Sequence, residues 1–187
     1  LEGGSADELS LLERGVSSYE GKWSMLNTDD FDPKVFIEKI MESDPIVKGL
    51  YAMGTQQMVN IPVRVHTYMV MNQFEKYFSK RFRSMKWSSD ITLGFMRMFL
   101  ALHDIGKGLD EDEHVATKKI IQELYDGGKI PFNENQFTIA LALVNGDPMG
   151  HYMRGWTEID EAKGKILANQ KASGLSKEEF FRLLTVY

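Results

Sequence analysis

His103 and Asp104 stand side by side in LALHDIGKG, at the end of an almost wholly apolar run. An imidazole and a carboxylate taken out of water are costly unless something compensates them, and a divalent cation does so most economically. The remaining imidazoles, His66, His114 and His151, fall before and after this doublet, so every histidine of the chain lies in one central stretch. That distribution points to a metal site. The sequence holds no cysteine, which excludes disulfides, thiolate catalysis and Cys-based zinc or iron–sulfur centres. Any ligands must therefore be His, Asp or Glu. Adjacent helical residues point about 100° apart, so His103 and Asp104 can flank one ion only off the helix end, with further ligands supplied from elsewhere. A mixed His and Asp set suits Mn, Mg, Fe, Ni or Zn.

The elements that must position these groups read as consecutive helices. Asp32-Pro33 and Asp44-Pro45 each pair an N-cap residue with proline at the first helical position, opening KVFIEKIM and IVKGLYAM. Pro62 opens a longer run in which His66, Met69, Val70, Gln73 and Tyr77 recur at helical spacing, with His66 near its start. Ser88, Ser89 and Asp90 can cap ITLGFMRMFLALHD, which is apolar on nearly every side and predicts the central buried helix, ended by Gly106. HVATKKIIQELYDGG is amphipathic, with His114 in its first turn and Gly127-Gly128 as its stop. Asn133 starts ENQFTIALALVNG, which stops at Gly146 before Asp147-Pro148. Ser176 and Glu179 have capping-box spacing ahead of FFRLLTVY. Hairpin punctuation and internal repeats are missing, so the expected fold is all-α.

Length and composition set limits on function. A chain of 187 residues can bury one real core, and a single compact multi-helix domain is expected. A net charge of -5 argues against general nucleic-acid binding, which needs a basic stripe to release counterions. No apolar run is long enough to span a bilayer and the first residues lack the pattern of a signal peptide, so a cytoplasmic protein without a membrane partner is expected. The DEDE run from Asp110 to Glu113 reads as a solvated acidic face capping the next helix, and the many methionines as core packing.

The residues quoted above resemble the HD phosphohydrolase superfamily, whose pattern is a first His on one helix, then the HD doublet, then a later Asp. His66 in RVHTYMV looks like the first ligand, HDIGK from His103 to Lys107 matches a common form of the doublet, and HVATKKI from His114 is similar to the family's following helix. The resemblance covers roughly residues 60 to 150. It implies metal-activated water attacking phosphorus in a nucleotide or related phosphate ester, with His66, His103 and Asp104 as metal ligands and Lys107 neutralising a phosphate oxygen. The pattern departs at its last ligand: either Asp147, in NGDPMGH, completes the site, or the aspartate lies beyond RLLTVY. By the same resemblance His114 faces the site in some members. Taken by themselves, His114 could equally be a first-turn surface residue, His151 could protonate a leaving group or touch phosphate, and Arg64 and Arg154 are possible phosphate clamps.

The expectation is thus an HD-type helical core over 61–187, cut short at its C-terminal end from a longer polypeptide. An N-terminal helical segment over 6–60 packs on it, and residues 1–5 read as a remnant of cloning. The expected activity is metal-dependent hydrolysis of a phosphomonoester or phosphodiester. Catalytic roles fall to Asp104, Lys107, His114 and His151, substrate contacts to Lys107, Arg64 and Arg154, and metal binding to His66, His103, Asp104 and Asp147. The expected partner is a phosphorylated small molecule or nucleotide. Two alternatives stand beside it: a catalytically degenerate HD domain that binds a nucleotide or a protein, and a purely helical interaction module with a large exposed apolar patch.

Overall fold

Proline follows aspartate three times in this chain, and each time a helix begins. The carboxylate accepts the orphaned N–H groups of the first turn while proline occupies a position whose N–H has no partner anyway. Asp32 accepts from Lys34 and Val35 and starts α1 (Pro33–Ser43), and Asp44 accepts from Ile46 and Val47 and starts α2 (Pro45–Ala52). Asp147 accepts from the N–H of Gly150 and starts a short helix described below.

The computed structural model describes residues 21–55 and 61–187. Residues 1–5, and the first part of the expected N-terminal helical segment, lie outside the described residues. After α1 and α2, a bridge between Gly54 and Pro62 brings the chain back on itself. The helix α3 (Val63–Gln73) then runs through a π-helical stretch, Phe74–Phe78, into α4 (Ser79–Ser84). The central α5 (Leu93–Leu102) is followed by α6 (Glu113–Asp126), α7 (Glu134–Leu143), the short α8 (Pro148–Met153), α9 (Ile159–Ser173) and α10 (Lys177–Leu184). Among the described residues there is no strand, and no helix is long and apolar enough to cross a membrane. The all-α expectation is met.

Every residue of α5 from Gly94 to Leu102 is buried, Arg97 among them, as a helix apolar on nearly every side requires. It packs against α3, α4 and a 3-10 turn at Ser24–Asn27, while α9 lies along α7 and α8. One continuous core runs from Trp23 and Leu26 through Phe36, Tyr51 and Phe99 to Leu183 and Val186, so the described N-terminal residues share it. The cap of α5 differs from the expectation. Thr92 accepts from the N–H of Phe95 at 3.0 Å, while Asp90 instead accepts from the side-chain amides of Asn133 and Asn135. At Asn133 a full capping box forms; at Ser176 only its serine half does, because Glu179 accepts from the N–H of Ser88.

Tyr51 joins α2 to the point where chemistry begins. Its buried hydroxyl donates to the carbonyl of Ala101, one of the last acceptors of α5 left without a helical partner. Burial pushes this phenol well above its ordinary range, so it remains a donor.

Candidate metal centre

The doublet lies at the point where α5 ceases to be regular. His103 N–H still bonds to the Phe99 carbonyl, but beyond it the chain tightens into successive turns: Ile105 to Leu102, Lys107 to Asp104 and Leu109 to Gly106. Leaving the helix allows two adjacent side chains to face one point, as their separation on a regular helix would not. Gly106 is required here. A Cβ on it would lie 2.6 Å from the Thr117 nitrogen and 2.7 Å from the Ala116 Cβ, and its N–H donates to Thr117 Oγ1 at 3.1 Å. The loop is seated directly on the α6 backbone. Gly106→Ala is accordingly expected to destabilise the fold by about 1–3 kcal/mol through overpacking. Thermal unfolding measures this, and an unchanged melting temperature would contradict the close approach.

Three donor atoms meet at this turn. His66 Nε2, from the first turn of α3, lies 2.6 Å from Asp104 Oδ2, and His103 Nε2 lies 3.3 Å from the same oxygen. One ligand atom from each of His66, His103 and Asp104 can be chosen so that all lie within 4.8 Å of one another. His103 is oriented by its other nitrogen, because Nδ1–H donates to the Leu100 carbonyl at 2.7 Å, an acceptor freed by the end of the helix. This tautomer leaves the lone pair of Nε2 directed at the cluster, the arrangement that metal-ligating imidazoles use. Burial alone would raise the Asp104 carboxyl; the facing His103 and His66 and the Lys107 ammonium reverse that and hold it well below the usual carboxylate range. The donor set fits a divalent cation. Ligands of one ion stand roughly 3 Å apart, so the His66–Asp104 pair needs to part by only a few tenths of an ångström.

The cluster forms one wall of a recess of about 380 Å³. Lys107 also lines it, with Nζ 3.0 Å from Asp104 Oδ2, and so do His114 and Arg154. Asp147 reaches the same recess but does not join the converging ligands. Its oxygens accept from Gly150 N–H at 2.7 Å and face Arg154 at 3.4 Å, so it serves as the cap of α8. His151 does not line this recess; its ring is 6.4 Å from that of His114 and opens on an adjoining hollow. Arg64 stands apart, in a surface groove with Lys34, Glu38 and Tyr68. Two residues along a helix is about 200° of rotation, so Arg64 is turned away from the face that presents His66.

Two titratable residues of the recess were not singled out in the sequence. Glu113 was grouped with an acidic run that in fact divides three ways: Glu111 pairs with Lys119, Asp112 caps α6, and Glu113 enters the recess beside His114. Its position just after a cap was the available signal. Tyr187 packs edge-on to His103, with ring centroids 5.7 Å apart. The residue is 40 % exposed, yet the protein around its hydroxyl and then the charges of Asp104, Asp147 and Glu113 hold that group above its ordinary range; the sequence carried no signal for it. Compared with known proteins, the chain matches no family model, no curated protein and no solved structure.

Proposed function

We propose that this chain is an HD-type metal-dependent phosphohydrolase acting on a phosphomonoester or phosphodiester, in a nucleotide or a nucleotide-derived group. The observation that carries the reading is the convergence of His66, His103 and Asp104 beside Lys107 in an open recess. Three protein donors with free positions is the ligand count of catalytic rather than structural sites. A divalent cation held there supplies Lewis-acid chemistry, making water acidic enough to ionise near neutral pH and screening charge on phosphate oxygen. The protein's own groups do the rest. The Leu100 carbonyl holds His103 in the ligating tautomer, and Lys107, now paired with Asp104, would turn its ammonium to a phosphate oxygen were that carboxylate engaged in holding an ion. His114 stands where it can contact substrate or the leaving group, and Arg154 lies on the rim.

The test is elemental analysis of the purified chain together with a screen of phosphate esters in Mn²⁺, Mg²⁺ or Ni²⁺. About one bound ion per site and turnover that follows the ion are expected. A chain that takes up none of these ions and cleaves no ester ends the proposal. One observation favours the second reading, a domain that binds a nucleotide without cleaving it: Asp147, the last aspartate the resemblance offered, is committed to Gly150 and Arg154. That reading expects ion or nucleotide binding without phosphate release.

A further inference from the structure

The far side of His114 holds a second hollow, of about 550 Å³, between α6 and the corner leading into α8. It shares His114, Gly146, Asp147, Pro148 and Asn169 with the central recess, so the two hollows adjoin. We propose that this hollow is an anion site centred on Lys118 and His151, taking a second phosphate carried by the same molecule whose first phosphate lies at the metal cluster. The spanning molecule rests on the hydrolase reading; the anion site itself does not.

Charge pairing singles out Lys118. Of the cations around the hollow, Lys119 is paired with Glu111 and Lys165 with Glu161, each at 2.7 Å. Two carboxylates also line it, Asp147 facing Arg154 at 3.4 Å and Asp112 turned to the first turn of α6. Asp112 accepts from the N–H groups of His114 and Val115, and Asp147 from Gly150. Lys118, half-buried, makes no ion pair among the described residues; its ammonium donates to the neutral Asn145 Oδ1 at 2.9 Å.

That acceptor is itself fixed. Asn145 Nδ2 donates to Asn169 Oδ1 at 2.7 Å, and the buried Asn169 returns a bond to the Asn145 carbonyl at 3.1 Å. The ammonium is therefore held at the wall by a neutral partner, which an anion displaces more easily than it displaces a carboxylate. The His151 and His114 rings, 6.4 Å apart, line the same hollow, with His114 Nε2 3.7 Å from Glu113 Oε1. A point-charge lysine beside two imidazoles suits a phosphate group, and the shared lining of the two hollows suits a molecule with two of them, such as a nucleoside diphosphate.

Binding of AMP and of α,β-methylene-ADP to the full chain in Mn²⁺ tests this. The second phosphate is expected to tighten binding about tenfold in the native chain. Lys118→Met should bring the ratio close to one, and Lys118→Arg, which keeps the charge, should restore most of it. A native ratio near one, or a ratio that survives Lys118→Met, overturns the site. Adding inorganic phosphate to the AMP titration separates the two sources of the anion. If free phosphate tightens AMP as much as the joined group does, one molecule spanning both hollows is ruled out. Failure of the hydrolase reading looks different: no ion uptake and no turnover, with the ratio and its dependence on Lys118 intact.

Discussion

Asp104→Ala is expected to lower metal affinity by more than about 100-fold, beyond the loss typical of an outer-shell change, and to take phosphate release to background. Asp104 Oδ2 is the common partner of His66 at 2.6 Å, His103 at 3.3 Å and Lys107 at 3.0 Å. Removing it deletes a ligand and also the negative charge that pairs with the Lys107 ammonium. Asp104→Asn separates these contributions, since it keeps the volume and an acceptor but not the charge. A readout independent of any substrate is available. An ion that binds only the folded chain stabilises it by about 2.7 kcal/mol at a hundred times its dissociation constant. Mn²⁺ should therefore raise the melting temperature of the native chain and leave that of Asp104→Ala where it was. A Mn²⁺-induced shift of equal size in both proteins would falsify the ligand assignment.

The cluster was legible because its signal is local. HDIGK closes a buried helix, and both the doublet and the glycine that seats the loop on Ala116 and Thr117 are adjacent in sequence. Helix order was legible for a similar reason, since Asp-Pro pairs and Asn133 carry their caps within three residues. What depended on distant partners was not. Asp147 is no exception to the local rule, for it has the same Asp-Pro signature as Asp32 and Asp44 and caps Gly150; what spacing could not show is that it stays outside the ligand cluster. The helix α9 escaped notice because two of its four buried residues, Asn169 and Ser173, are polar, which erases the apolar stripe a periodicity search needs. Ser88 through Asp90 have good capping chemistry, yet the Ser88 N–H and the Asp90 carboxylate are drawn to Glu179, Asn133 and Asn135, leaving Thr92 to cap α5.

The most consequential distant partnership lies inside α5 itself. Arg97 is only 1 % exposed. Its Nε and Nη2 donate to the two oxygens of Glu75 at 2.7 and 2.9 Å, and Nη1 donates to the carbonyls of Leu26 and Thr28 at 2.7 and 2.8 Å. The guanidinium also lies over the Phe31 ring at 4.1 Å. Arg97→Met leaves a carboxylate and two carbonyls without their donors, and breaking a buried pair from one side costs about 3–5 kcal/mol. For a chain of this size that corresponds to a fall of roughly 10 °C in melting temperature. Adding Glu75→Leu removes the stranded charge and should recover part of the loss. The recovery is incomplete, because the Leu26 and Thr28 carbonyls remain unpaired. The pair also bears on the metal centre. Glu75 sits in the π-helical continuation of the helix that carries His66, and Arg97 on the helix that ends in His103 and Asp104. Clamping these two elements fixes His66 against Asp104, so Arg97→Met should weaken Mn²⁺ binding several-fold at a temperature where the variant is still folded. A variant that melts within a degree or two of the native chain, with unchanged Mn²⁺ affinity, would show that the two helices hold their register without this contact.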